Sequence, residues 1–246
     1  FSTSTDSTWY YSSLSFQANA LTPNDIDLLK GCRVEQRVIE INRNSKNLHL
    51  LNSLEDTMTL YIGELPRNPN ELQSISEIDS LDRIVIGCSL TDRSLIDAIE
   101  ARKAPLAVLH LIGGNLSIAE WKAIAQSNKI RSLIIYNTMI NLRPMNESDM
   151  TELENNPTIE TVNMNSGSRL SPGVLRSFAK MPSLTKLVIQ SLTNITEKDL
   201  EELSDSKIES FSVLDAAPFE QINLSGKSWM SRMKQLHVND QNLLSR

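Results

Sequence analysis

Few residues in this chain have the type and spacing that chemistry requires. The three histidines, His49, His110 and His237, stand far apart, with no acid or cysteine at ligand spacing beside them. No metal set is expected from them. Cys32 and Cys88 are too few for a disulfide framework or a C-x-x-C metal pair. Cys32 reads as a helix end and Cys88 as a small turn residue, since no histidine neighbours it to activate a thiolate. The acidic pairs Glu152/Glu154 and Glu201/Glu202 read as solvated helix faces rather than as general acid and base. HExxH, GxSxG and P-loop spacings are absent. The Gly113-Gly114 pair follows an apolar run and precedes a helix start, as a phosphate-cradling loop would. A dinucleotide loop needs G-x-G-x-x-G, and Asn115-Leu116-Ser117 follow with no third glycine. No catalytic residue, cofactor or metal is therefore expected, and the chain reads as non-enzymatic.

Composition narrows the class. The 246 residues are 40% apolar and 22% charged, enough apolar surface for a core. A formal net charge of −6 argues against a nucleic-acid partner, which calls for a concentrated Lys/Arg footprint. No apolar stretch approaches the ~18 residues of a membrane span. The start, FSTSTDSTWYYSS, has neither the basic nor the apolar region of a signal peptide. It reads as a boundary or the trimmed start of a longer product, and an upstream targeting segment would make the chain extracytoplasmic. The sequons at Asn115, Asn146, Asn194 and Asn223 suit chance in a chain this rich in Asn, Ser and Thr.

What must position any functional residue is a repeat. An apolar–x–x–apolar–x–apolar core recurs at Leu81-Ile84-Ile86, Leu106-Leu109-Leu111, Ile130-Leu133-Ile135, Ile159-Val162-Met164, Leu184-Leu187-Ile189 and Ile208-Phe211-Val213. Tyr11-Leu14-Phe16 and Met233-Leu236-Val238 fit at the ends, with Gln36-Ile39-Ile41 and Thr57-Leu60-Ile62 matching at two of three positions. The third apolar position recurs at spacings of 25, 21, 24, 25, 24, 29, 25, 24 and 25. After each strand, an apolar residue and a Ser or Thr often precede an acid three positions on, as in LTPNDIDLL (21–29), LSIAEWKAI (116–124) and ITEKDLEEL (195–203). That is the signature of a capping box. Each unit is expected to be a short strand, a turn and a two- to three-turn helix. Expected units are 11–35, 36–56, 57–80, 81–105, 106–129, 130–158, 159–183, 184–207, 208–232 and 233–246, in one domain over 1–246. Two are irregular: 41–62 is short and lacks a clear cap, and 135–164 carries an insertion.

The pattern resembles the leucine-rich repeat family, in its helix-bearing, ribonuclease-inhibitor-like form, across nearly the whole chain. LSFQANAL (14–21) matches the consensus closely and IEINRN (39–44) keeps its Asn. Other units carry Ser89, Gly114, Thr138, Gly167, Leu192 or Ala216 in place of that Asn. The resemblance implies an α/β solenoid, a horseshoe of about ten repeats with a parallel sheet on the concave face and short helices on the convex face.

Residues between the apolar positions then point onto the open face of the sheet. One column reads Ser15, Glu40, Tyr61, Val85, His110, Ile134, Asn163, Val188, Ser212, His237; the next includes Ile112, Tyr136 and Leu214. Tyr61, Val85, His110, Ile112, Ile134, Tyr136 and Val188 are the expected partner-binding residues, with Arg37, Arg83, Arg131 and Lys186 as part of a charged rim. A contiguous exposed apolar patch usually marks an interaction site. Two other readings stay open: β-branched residues favour strands anyway, or the segment 141–158 folds over the face. The expected function is a protein- or peptide-binding module. The alternative is a ligand-sensing or substrate-recruiting region of a larger signalling, membrane-anchored or catalytic protein.

Overall fold

Ten strands lie side by side in chain order: β1 (Leu14–Gln17), β2 (Arg37–Ile41), β3 (Met58–Ile62), β4 (Leu81–Ile86), β5 (Leu106–Ile112), β6 (Ile130–Tyr136), β7 (Thr161–Asn165), β8 (Lys186–Thr193), β9 (Ser210–Ala217) and β10 (Gln235–Val238). The computed structural model describes residues 14–32, 34, 36–90, 92–165, 169–217, 227–238 and 241–242. Every neighbouring pair among the ten is parallel, and Gln241–Asn242 folds back antiparallel on β10. The protein is mixed α/β, built on a ten-strand parallel sheet.

The alternation of apolar and polar residues decides which way each side chain faces. Leu109, Leu111, Leu133, Ile135, Val162, Met164, Leu187 and Ile189 all sit in one buried core. On that side the sheet is covered by short helices: α1 (Pro23–Gly31), α2 (Asn70–Gln73), α3 (Ser94–Glu100), α4 (Ile118–Ala125), α5 (Glu147–Met150), α6 (Val174–Ala179) and α7 (Glu197–Glu201). Their inward residues, among them Ile26, Leu95, Trp121, Phe178 and Leu200, join the same cluster. Burying a side chain of this size is worth roughly 1.5–3 kcal/mol.

The three expected capping boxes are formed. Thr22 with Asp25, Ser117 with Glu120 and Thr196 with Asp199 exchange side-chain and backbone bonds at the starts of α1, α4 and α7. The units lacking the acid start without a side-chain cap, at Arg93 and Gly173. Most helices are shorter than the expected two to three turns, and residues 48–53 and 228–232 form only 3-10 turns.

Two registers differ from the sequence reading. Phe16 pairs with Ile39, not Ile41, so Gln17 rather than Ser15 stands beside Glu40. Phe16 and fully buried Ala18 take the places expected of Leu14 and Phe16; Tyr11 lies outside the described residues. In β3 the first core position is Met58, not Thr57, because the pairing with β4 shifts between Met58 and Thr59.

Charged side chains inside the layers serve the backbone. Arg37, expected on the rim, is buried: its guanidinium pairs with Asp56 and donates to the carbonyls of Leu29 and Cys32 at the end of α1. Arg102, 3% exposed, donates to the carbonyls of Ile75 and Ile78 in the preceding unit and of Leu81 at the start of β4. Buried Asn156 donates in the same way to Ala125 and Ser127, and Arg232 to Leu203. Helix-end carbonyls have no intrahelical donor, and these side chains satisfy them at the turn from one unit to the next.

The segment 141–158 does not lie over the sheet. Met139–Ile140 and Arg143–Pro144 form a small hairpin that extends the Asn115–Leu116 strand. α5 follows with its own capping box, Asn146 with Asp149, and buries Met145, Met150 and Leu153 in the helical layer. Asp149 accepts a two-pronged bond from Arg143 at 2.7 and 2.8 Å, and its carbonyl accepts from the Trp121 indole at 2.8 Å.

Candidate functional site

The strand registers bring most of the expected residues together. Tyr61 pairs with Val85, Val85 with His110 and His110 with Ile134, so one row crosses β3 to β6. Ile112 pairs with Tyr136 in the next row. Parallel strands are spaced by roughly 4.8 Å, so these side chains adjoin one another. The open face ahead of β3 and beyond β6 is more polar: Gln17 and Glu40 precede the row, while Asn163 and Asn165 pair with Ile134 and Tyr136.

Two expected members contribute less. Val85 is only 8% exposed, since the residues on either side of it in the row are larger. Val188 is set apart, because the exposed Asn163 stands between it and Ile134. Tyr136 at 46% exposure and the half-buried His110, Ile112 and Ile134 present the accessible apolar surface.

Tyr61 is held by glycines. Its ring lies 3.4 Å from where a Cβ of Gly63 would be, and its hydroxyl oxygen 2.6 Å from that of Gly87. With no side chain at either position, the phenol extends along the sheet toward β4. Gly63 and Gly87, which follow β3 and β4, therefore make room for the aromatic group of Tyr61.

His110 lies on this row next to β4, which carries Arg83. Burial first, and then the Arg83 cation, push its imidazole below its ordinary value. The neutral ring is favoured, so His110 acts as an amphipathic group in the patch rather than as a cation. Cys88, at the end of β4, has its thiol pushed up by burial and by Glu64, the opposite of what a nucleophile needs.

Further apolar surface lies outside the row. Leu214, placed by the sequence in the second column, is 52% exposed on β9, and the hairpin after β6 exposes Met139 and, at 78%, Leu142, which the sequence did not single out. Asn141 and Leu142 both have positive φ, at 48° and 61°. A leucine there is strained, and the Leu142 amide is fixed by the Asn115 side chain at 2.6 Å.

The acidic pairs are ion-paired on the helical side: Glu152 with Lys122, Glu154 with Lys180, Glu201 with Lys227 and Glu202 with Arg176. Among the described residues no three His, Cys, Asp or Glu side chains gather to hold a metal ion. No helix among them is long and apolar enough to cross a membrane. No family model matches the chain, and no curated protein matches it.

Proposed function

We propose that the chain is a leucine-rich-repeat solenoid, a horseshoe with the open sheet face on its concave side. It acts as a non-enzymatic module that binds a protein or peptide there. The spacing of about 25 residues and the single helical segment after most strands support the architecture. The observation that carries the function is the uncovered pairing of His110 with Ile134 and Ile112 with Tyr136. Parallel sheets ordinarily have both faces covered, and aromatic and aliphatic anchors within a polar surround have the anatomy of an interface core. Presenting them on hydrogen-bonded strands leaves little to be ordered on binding, which limits the entropic cost of association.

The test is affinity capture from the native source with wild type and with Ile134→Asp/Tyr136→Asp. Both positions face away from the core, so the variant is expected to keep its fold, checked by circular dichroism, and to lose the partner that wild type retains. Equal capture by a folded variant overturns the reading.

A further inference from the structure

A second site lies away from the apolar row, where the first three units turn from strand to helix. A cleft of about 320 Å³ opens there, lined by Arg43, Lys46 and Arg67 with the amides of Asn19, Asn44 and Asn68 among its walls. No carboxylate lines it, although the protein as a whole carries a formal charge of −6. Of the three cations only Arg43 is ion-paired among the described residues, to Glu64 at 3.7 Å with both side chains more than half exposed. A pair that long and that exposed neutralises little. Another open cleft, of about 300 Å³ beside α5, is different: its Glu147 bonds Ser171, and its Arg169 pairs with Asp215 at 3.3 Å.

The cationic cleft is pre-shaped by the stacking of the three turns. The Arg67 amide donates to the Arg43 carbonyl at 3.1 Å, and the Leu21 amide to the Lys46 carbonyl at 3.2 Å. Asn42 Nδ2 donates to Asn19 Oδ1 at 2.7 Å, and the Asn42 side-chain oxygen accepts the Asn44 amide at 2.9 Å. These bonds fix the backbone from which Arg43, Lys46 and Arg67 line one concavity. We propose that this cleft binds a phosphate dianion borne on a small polar molecule. Two guanidinium forks and an ammonium supply the charge and the N–H donors that a phosphate takes. The asparagine amides alongside suit the hydroxyls of whatever carries the phosphate.

The experiment titrates the intact chain, followed by amide chemical shifts, with inorganic phosphate, glucose 6-phosphate, glucose and acetate. Vesicles of phosphatidylcholine with and without phosphatidylinositol 4-phosphate are run beside them, to tell a lipid headgroup from a soluble source. Saturable binding of phosphate and of one phosphomonoester, centred on residues 42–46 and 64–68, is expected, with glucose and acetate inert. Arg43→Gln/Arg67→Gln is expected to weaken binding at least about tenfold without changing the circular dichroism spectrum. Lys30→Gln/Lys234→Gln, on exposed lysines elsewhere, is expected to bind as wild type. The proposal is overturned if no phosphate compound saturates by about 10 mM, where a ~1 mM site is mostly filled. It is equally overturned if acetate binds as well as phosphate, or if the two double variants weaken binding alike.

Discussion

The phenol of Tyr61 reaches across the sheet to Gly87 on the neighbouring unit, where a Cβ would stand 2.6 Å from its hydroxyl oxygen. The atom in the way is the far end of a side chain, so the ring moves before the backbone does. Gly87→Ala is expected to cost about 1 kcal/mol, the scale of an off-rotamer side chain, and to lower Tm by about 2–4 °C. In a Tyr61→Ala background the same change is expected to cost almost nothing, because the clash is gone. Thermal melts of the four proteins in this cycle measure the coupling; equal losses in both backgrounds contradict it.

Local signals were legible in the sequence and long-range ones were not. The pairs Thr22/Asp25, Ser117/Glu120 and Thr196/Asp199 act within one helical turn, so their spacing is sufficient to read them. Asn146/Asp149 obeys the same rule but was hidden in a segment read as an insertion. The register of β1 is a different matter. Leu14-x-Phe16 and Phe16-x-Ala18 both present an apolar alternation, and only the pairing of Phe16 with Ile39 selects the second. For the candidate site, the pairing of His110 with Ile134 followed from the period alone. The burial of Val85 and the placing of Tyr61 over two glycines depend on side-chain volumes across strands, which a single-strand pattern does not contain.

Arg102 shows why a charged residue is hard to place from a pattern. Its guanidinium is buried among three carbonyls rather than beside a carboxylate, and burial lowers its pKa despite Asp79 and Asp82 nearby. Arg102→Met keeps much of the length and removes the donors. Losing them is expected to destabilise the fold by about 2–4 kcal/mol, more than relief of the desolvation returns. Urea unfolding measures this; a variant as stable as wild type contradicts the view that these bonds join the units.

The two glycines that follow β5 are separable. Gly113 and Gly114 both have positive φ, 63° and 73°, yet a Cβ on Gly113 meets nothing within 4 Å. A Cβ on Gly114 would overlap the Cys88 carbonyl oxygen of the preceding turn, which is backbone and cannot rotate away. Gly113→Ala is therefore expected to cost about 1–2 kcal/mol, the conformational penalty alone. Gly114→Ala is expected to cost more than that by at least about 1 kcal/mol. Equilibrium unfolding of the two variants separates conformational freedom from close approach, and equal losses remove the second role.

His110 gives the open face a pH dependence whose sign follows from its surroundings. Burial and then Arg83 lower its pKa in the fold from the ordinary 6.5. Between the folded value and 6.5 the unfolded chain holds more protons than the native one, so stability rises with pH across that window. The contribution is complete above 6.5 and is lost as pH falls through the window. A partner covering the row would remove more water from the imidazole and lower its pKa further, so binding and stability shift in the same direction. Affinity for the captured partner is expected to be greatest above pH 6.5 and to weaken as pH falls through the lowered value of His110 in the free protein. In His110→Gln, which is neutral throughout, that part of the dependence is expected to vanish. Titration of the His110 ring protons by NMR, free and bound, checks the order of the two pKa values. A pKa above 6.5 in the free protein would reverse the sign of the prediction.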